Sequence, residues 1–486
     1  MTSIRRALAL SLAERYVLIA ISLAGNIVLA RLLTPEEIGI YSVSLAVIGI
    51  AQVLRDFGLG NFLIQEKNLS EAHIRTAFGI SLVMGSGLFL IVTLGADWAS
   101  RYYAEERIML TLRISAMNFL VLPFCSISVA LLRREMLFKS LVTVTLTSAV
   151  VGFGTTISLA LLGYGANSMA IGSVAANIAT GIGAWLARSD RKLLLPSFSE
   201  WRVLLEFGGQ SAAANVVTSI SMDINDLFLG KILGFSSVAM ISRAQGLMNI
   251  FHRDLMSAIR NVAYPAFAKA HRDGEQLESN YIASVSAVTV LAWPFYGFTA
   301  LFSLELLRLM FGPQWDQASP LVPIFCLAGA FAASSTLISS AIMATGRIDL
   351  ITKTELIFQP LRAALVISSA IFYKSLLACA IAYLVSFIFW VPLMYSFKSR
   401  CIPNNFRALS ENLLKSAKVT IFTLVLPAGM TFNAGFDRSA PVSFLFLVAA
   451  ALISGFGWVS ALVIFKHSVT SDPLFKRLTE KLLRLK

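Results

Sequence analysis

Long stretches without a charged residue constrain this chain more than any other feature of its sequence. One runs from Ile38 to Leu54, and another extends from Ser140 to Ala187. A membrane-spanning helix needs about 20 consecutive apolar residues. The chain is 57% hydrophobic and 14% charged, with a mean hydropathy of +0.74, which lies far outside the range of ordinary soluble domains. The sequence therefore predicts an all-α protein that crosses a membrane many times.

The apolar segments predict about 14 transmembrane helices. Glycine residues around Tyr164 supply a turn within the longest uncharged run, which is too long for one helix. The expected spans are residues 7–33, 37–59, 76–96, 108–132, 141–162, 168–187, 204–229, 236–267, 282–302, 319–345, 351–372, 376–397, 419–432 and 441–465.

The turn between the first two spans has a helix-start signature. Thr34 stands at the N-cap, Pro35 at the first helical position, and Glu37 three residues after the cap. This arrangement satisfies backbone N–H groups at the helix end. We therefore expect a second helix that begins at this turn.

The same hairpin recurs two hundred residues later without a gap. Residues 29–33 align with residues 229–233, and a cation, Arg31 or Lys231, is central in each. Six predicted helices separate equivalent points, so both hairpins cross the membrane in the same direction. We interpret this as a parallel repeat with a pseudo-two-fold axis along the membrane normal.

The repeat predicts five parts of the chain. They are an N-terminal six-helix lobe (residues 1–188), a cytoplasmic linker (189–202), a second six-helix lobe (203–398), two additional transmembrane helices (399–465) and a basic amphipathic tail (466–486).

The formal net charge of +13 reflects topology rather than nucleic-acid binding. With the N-terminus inside, the inner connections hold 26 Lys and Arg residues and the outer connections hold seven. Cytoplasmic loops carry such an excess of cations. We therefore predict a multi-pass protein of the cytoplasmic membrane with both termini in the cytoplasm.

No pattern indicates an enzyme, a metal or another cofactor. The four cysteines and four histidines lack metal-ligand spacing, and no Walker A motif occurs. The connections are short for a catalytic insert. We predict a protein without catalytic residues.

Polar residues inside the predicted spans indicate a cationic cavity for substrate. A charged side chain inside a bilayer is expensive and usually faces water, a ligand or a partner. Helix eight carries a polar stripe at helical spacing, and helices one and two carry further polar residues. The candidate substrate-binding residues are Arg15, Gln52, Arg55, Gln245, Asn249, Arg253 and Arg260.

Less specific explanations compete at several of these positions. Arg15 and Arg260 lie close enough to a membrane boundary for their side chains to reach it. Arg55 and Arg253 are each followed by an aspartate, so an ion pair is the alternative there.

Two acidic residues are candidates for ion coupling. Asp223 and Asp226 occupy the outer part of predicted helix seven, where a carboxylate could bind a coupling proton or cation. Pairing with an arginine is the alternative explanation.

Several short stretches resemble Wzx-type polysaccharide flippases of the multidrug/oligosaccharidyl-lipid/polysaccharide (MOP) exporter superfamily. They are Arg-Leu-Leu-Thr-Pro-Glu-Glu-Ile-Gly-Ile-Tyr (31–41), Asp-Phe-Gly-Leu (56–59) with Leu-Ile-Gln (63–65), Leu-Leu-Arg-Arg-Glu-Met-Leu-Phe (131–138) and Tyr-Pro-Ala-Phe (264–267). The resemblance implies two six-helix lobes, often with two further helices, and alternating access.

The cargo that the resemblance implies is an undecaprenyl-pyrophosphate-linked oligosaccharide for O-antigen, exopolysaccharide or capsule. Membrane lipids and the polysaccharide polymerase and glycosyltransferase machinery would be its partners. A multidrug or metabolite antiporter of the same superfamily is the first alternative. A membrane glycan polymerase or ligase is the second.

Overall fold

A computed structural model describes residues 2–55, 58–188, 190, 195–202, 204, 223–433 and 444–471, with the backbone alone for residues 2–16, 53, 54, 432, 433 and 471. The chain divides into two compact units, unit 1 (residues 1–239) and unit 2 (residues 240–486). Asp56, most of predicted helix seven and residues 472–486 of the predicted tail lie outside the described residues.

Unit 1 is built from helices that correspond to the first predicted spans. They are α1 (Thr2–Leu32), α2 (Pro35–Arg55), α3 (Leu59–Gln65), α4 (Glu71–Tyr103), α5 (Glu106–Arg134), α6 (Phe138–Leu161), α7 (Ala166–Ala187) and α8 (223–233). α5 is central, because α2, α3, α4, α6 and α7 all pack against it. Its residues Ile108, Leu112 and Phe119 are buried.

Helix α9 (Phe235–Asn249) contains the division between the units, and the described part of unit 2 after it is mainly helical. Its elements are a π-helical turn (Ile250–Leu255), α10 (Met256–Arg272), α11 (Leu277–Leu301), α12 (Ser303–Phe311), a 3₁₀ segment (Pro313–Leu321), α13 (Val322–Ala333), α14 (Ile338–Ala344), α15 (Ile348–Tyr373), α16 (Leu376–Lys398), α17 (Phe406–Asn433) and α18 (Phe444–Ile464). Helix α11 packs against α13 and α17, and α15 packs against α16.

The predicted all-α fold is confirmed over the described ranges, where the regular secondary structure is helical. Ten helical segments in these ranges are long and apolar enough to cross a membrane. The count of 14 and the six-helix lobes stay predictions, since residues 205–222 and 434–443 are not described.

The predicted start of the second helix is confirmed. The backbone N–H of Thr34 donates to Oε2 of Glu37 at 2.8 Å, and the N–H of Glu37 donates to Oγ1 of Thr34 at 3.3 Å. This is a reciprocal capping box with Pro35 at the first position of α2.

Two spans predicted as single regular helices are interrupted. The predicted span 236–267 contains the π turn Ile250–Leu255 between α9 and α10. The predicted span 319–345 begins in a 3₁₀ segment and divides into α13 and α14. A π turn changes the helical phase of the residues that follow it and is frequent at functional sites. The polar stripe of predicted helix eight passes through this turn.

Candidate substrate site

In unit 1, α2 approaches closely to α8 and to Phe235, the first residue of α9, because glycines line these contacts. A Cβ added to Gly39 would lie 1.9 Å from the Phe235 carbonyl oxygen, and one added to Gly230 would lie 2.7 Å from Val43. The contacts run in opposite directions along the two segments. Glycine is therefore required for this antiparallel approach.

The third contact of this kind involves a carboxylate. A Cβ at Gly49 would lie 2.6 Å from Oδ2 of Asp223, so the Asp223 side chain packs directly on the α2 backbone. Asp226 follows three residues later, on the same face of α8, and the two carboxylates repel each other. Neither forms an ion pair with a cation in the described ranges. Pairing with an arginine therefore has no support there.

We expect Gly49→Leu to destabilise the protein by about 1–3 kcal/mol, because the larger side chain would displace Asp223 and separate α2 from α8. The thermal unfolding midpoint of the purified protein measures this. Gly154→Leu is the matched control, since a Cβ there meets no atom within 4 Å. Equal midpoints for the two variants would contradict the close contact.

The unit 1 candidates differ in exposure. Arg55 is the last residue of α2 and is only 6% exposed, close enough to Cys125 of α5 to affect it electrostatically. Gln52 lies one turn earlier and is half-buried. Arg15 lies on α1, but its side chain is outside the described part of the chain.

The unit 2 candidates surround the π turn. Gln245 and Asn249 are half-buried on α9. The side chain of Arg253 is 74% exposed, and its Nε donates to Oδ1 of Asp254 at 3.0 Å. The ion pair considered as an alternative for Arg253 is therefore present. Arg260 lies on α10, where its Nη1 donates to Oγ1 of Thr336 at 3.3 Å.

Arg260 belongs to a group that we call the basic cluster, formed by His252, Arg260 and Arg362. His252 lies near enough to both arginines to be affected by their charges. The Arg362 guanidinium carbon lies 5.5 Å from the ring centroid of Phe358 and 5.8 Å from that of Tyr383. Cation–π contacts of this kind stabilise a guanidinium group that is removed from water.

Aromatic rings hold this cluster together. The His252 ring meets Phe387 edge-to-face at 6.1 Å between centroids, and Phe387 meets Phe358 at 5.5 Å. The cluster therefore combines side chains from the π turn, α10 and α15. The sequence did not predict this cluster, because its three residues lie on elements that are far apart in the chain.

The electrostatics of the basic cluster favour an anion. In the described ranges neither Arg260 nor Arg362 forms an ion pair with a carboxylate, and Nε of Arg362 is buried without a hydrogen-bond partner. Intramembrane charges are normally paired or face a ligand. A guanidinium presents a planar fork of donors that matches phosphate oxygens. The cluster can therefore bind a phosphate group.

No comparable group of side chains in the described ranges indicates a metal centre. No group of three His, Cys, Asp or Glu residues in the described ranges is placed to hold a metal ion.

Comparison with known proteins adds independent information. A family model described as "Polysaccharide biosynthesis protein" matches residues 28–320. Among curated proteins, the lipopolysaccharide biosynthesis protein WzxC of Escherichia coli (strain K12) is 25% identical over 343 residues, which cover 69% of this chain and 68% of WzxC.

Solved structures share the fold. The lipid II flippase MurJ, in an inward closed conformation, matches with a TM-score of 0.71 and 13% identity, covering 94% of this chain and 98% of MurJ. An inward-facing multidrug resistance MATE family transporter of the MOP superfamily matches with a TM-score of 0.63 and 14% identity, covering 80% of this chain and 95% of the transporter.

Proposed function

We propose that this chain, which belongs to the polysaccharide biosynthesis protein family, is a flippase. Its cargo would be a lipid-linked oligosaccharide used in surface polysaccharide biosynthesis. The resemblance to Wzx-type flippases is confirmed by the family match and by the similarity to WzxC, and the fold is shared with MurJ and with a MATE family transporter. The chain acts as a transporter and not as an enzyme in this proposal.

The observation that carries the proposal is the pair of arginines in the basic cluster. Arg362 lies near the middle of the apolar helix α15, and Arg260 lies on the amphipathic helix α10; neither has a carboxylate partner in the described ranges. Inserting an arginine at a helix centre costs about 2.5–3.5 kcal/mol. A phosphate-bearing cargo that binds these guanidinium groups offsets that cost, because charge-assisted hydrogen bonds to phosphate are strong.

The cargo we propose is an undecaprenyl-pyrophosphate-linked oligosaccharide, carried from the inner to the outer leaflet of the bacterial cytoplasmic membrane by alternating access. His252 and Arg362 join the substrate-contacting residues that the sequence suggested. Arg55 is buried, so it would reach the headgroup only in a conformation that exposes its side chain. A polymerase and glycosyltransferases would act beside the flippase.

A multidrug antiporter is the second candidate, favoured by the MATE-like fold and by the carboxylates of Asp223 and Asp226. An assay in a strain lacking this protein separates the two. We expect loss of surface polysaccharide and accumulation of its lipid-linked precursor inside, with unchanged drug sensitivity. Normal polysaccharide together with drug hypersensitivity would reject the flippase proposal.

The proposed orientation predicts where individual loops lie. A reporter fused after Gly163 should be external, and one fused after Arg407 should be cytoplasmic, because the inner connections hold 26 basic residues and the outer ones seven. Activity of a periplasmic reporter at each position measures this. The opposite pattern would overturn the orientation.

The ion-coupling proposal for Asp223 and Asp226 predicts loss of gradient dependence. Asp226→Asn or Asp223→Asn should lower transport driven by an imposed proton or sodium gradient at least about tenfold, since a lost charge interaction is worth more than about 1.4 kcal/mol. Asp349→Asn is the control, because this residue is an exposed partner of Arg347. Transport that still follows the gradient in the Asp223 and Asp226 variants would exclude the coupling role.

A further inference from the structure

We propose that a groove in unit 1 binds an anionic phospholipid of the bilayer, with the phosphate on Arg188 and one acyl chain along α7. The groove lies between α4, α5 and α7 and has a volume of about 430 Å³. Its lining includes Phe78, Phe124, Ile178, Ile182, Trp185 and Arg188. It is separate from the basic cluster, which belongs to unit 2.

Arg188 provides the headgroup contact. It directly follows α7, is only 5% exposed, and its Nη2 donates to Oδ2 of Asp190 at 2.7 Å. Its Nη1 has no hydrogen-bond partner in the described ranges. A guanidinium has five N–H donors, and leaving a buried one unsatisfied costs free energy. A phosphate oxygen at the groove end would satisfy Nη1 while the ion pair with Asp190 is kept.

The tail contact follows the surface of α7. Ile178, Ile182 and Trp185 recur at helical spacing on one face and lead towards Arg188, and Ile178 and Ile182 are 43% and 55% exposed. Phe124 and Phe78 form the opposite wall, with ring centroids 5.2 Å apart. Exposed apolar side chains of a membrane protein face lipid chains. Trp185 next to the cation is typical of the membrane–water interface.

The dimensions favour a bilayer phospholipid over the proposed cargo. The ten-residue rise from Ile178 to Arg188 is about 15 Å, which equals the hydrocarbon depth of one leaflet. The groove volume of about 430 Å³ is at the lower end of the range of about 300–1,000 Å³ for small-ligand pockets. The groove therefore accepts one acyl chain but not a polyprenyl-linked oligosaccharide. Basic pockets between transmembrane helices on the cytoplasmic side bind acidic lipid headgroups. Only the choice of the inner leaflet depends on the proposed orientation.

Binding of defined lipids to the purified full-length protein, followed by native mass spectrometry, tests this proposal. We expect phosphatidylglycerol to bind at least about tenfold more tightly than phosphatidylcholine with the same chains, the scale of one charge-assisted contact. Arg188→Gln should abolish that preference. Ile182→Trp should weaken both lipids by filling the groove while leaving the charge in place. Arg133→Gln is the control, because it removes an exposed cation from the end of α5.

Three results would overturn the proposal. The first is equal binding of the two lipids to the unaltered protein, and the second is an unchanged preference in Arg188→Gln or an unchanged affinity of Ile182→Trp for both lipids. The third is displacement of phosphatidylglycerol by an equal concentration of either glycerol phosphate or undecaprenyl phosphate, which would assign the site to a soluble anion or to the cargo. Because the experiment measures lipid binding and not transport, failure of the lipid-site proposal is distinguishable from failure of the flippase proposal.

Discussion

Replacing Arg260 or Arg362 with alanine should reduce export of the lipid-linked oligosaccharide about 10- to 150-fold, the range for losing one charge-assisted phosphate contact of about 1.5–3 kcal/mol. Protein abundance in the membrane should stay at or above that of the unaltered chain, because removing an intramembrane charge lowers the cost of insertion. Arg→Lys should restore export only in part, since lysine lacks the planar fork. Surface polysaccharide and membrane abundance are measured in parallel.

Arg113→Gln is the matched control for this pair. Arg113 also lies within a predicted span, but its Nη2 has its own carboxylate partner, Asp97, at 3.3 Å. Export should therefore change little. A loss of export in Arg260→Ala that follows a loss of protein from the membrane would show a structural role instead and contradict the substrate contact.

Lys398→Met should destabilise the protein by about 3–5 kcal/mol, the range for removing one partner of a buried ion pair. Lys398 is fully buried, forms an ion pair with Glu278, and donates to Oδ1 of Asn404 at 2.8 Å. Its Nζ also lies 4.7 Å from the ring centroid of Tyr281. The other carboxylate oxygen of Glu278 accepts the backbone N–H of Asn405 at 2.9 Å, so the pair links α11 and α16 to the segment before α17.

The thermal unfolding midpoint of the purified protein checks this prediction. Glu278→Gln added to Lys398→Met should recover part of the loss, because it removes the uncompensated carboxylate. Arg407→Met is the control: its partner Glu411 is one helical turn away and the Arg407 side chain is 91% exposed, so the effect should be small. Similar midpoints for Lys398→Met and Arg407→Met would contradict a stabilising buried pair.

Local signals in the sequence predicted local structure well. The turn at Thr34 and Pro35 depends on residues within four positions of one another, and the structure contains the capping box that they predict. Likewise, the turn around Gly163 and Gly165 separates α6 from α7, and both glycines adopt positive φ angles that other residues rarely adopt.

Features that depend on distant residues were not predicted. The π turn at Ile250–Leu255 contains no proline or glycine that would mark it in the sequence, and side-chain packing sets its position in the helix. His252 and Arg362 come together only through tertiary structure. The burial of cations at helix ends was not predicted either: Lys398 is the last residue of α16 and Arg188 directly follows α7, yet they are 0% and 5% exposed.

The contacts of the intramembrane carboxylates could not be predicted from the sequence either. Asp223 could be assigned to a span from the sequence, but its contact with Gly49 requires two helices that are distant in sequence. Hydrophobic periodicity indicates which residues are apolar and helical, but not which helix lies opposite a given side chain.

Transport of a labelled undecaprenyl-pyrophosphate oligosaccharide by purified protein in proteoliposomes tests the flippase account most directly. The unaltered protein should move the cargo between leaflets, and the double variant Arg260→Ala with Arg362→Ala should not, while Arg113→Gln retains transport. Cargo movement no faster than in protein-free vesicles, or undiminished movement by the double variant, would contradict the account.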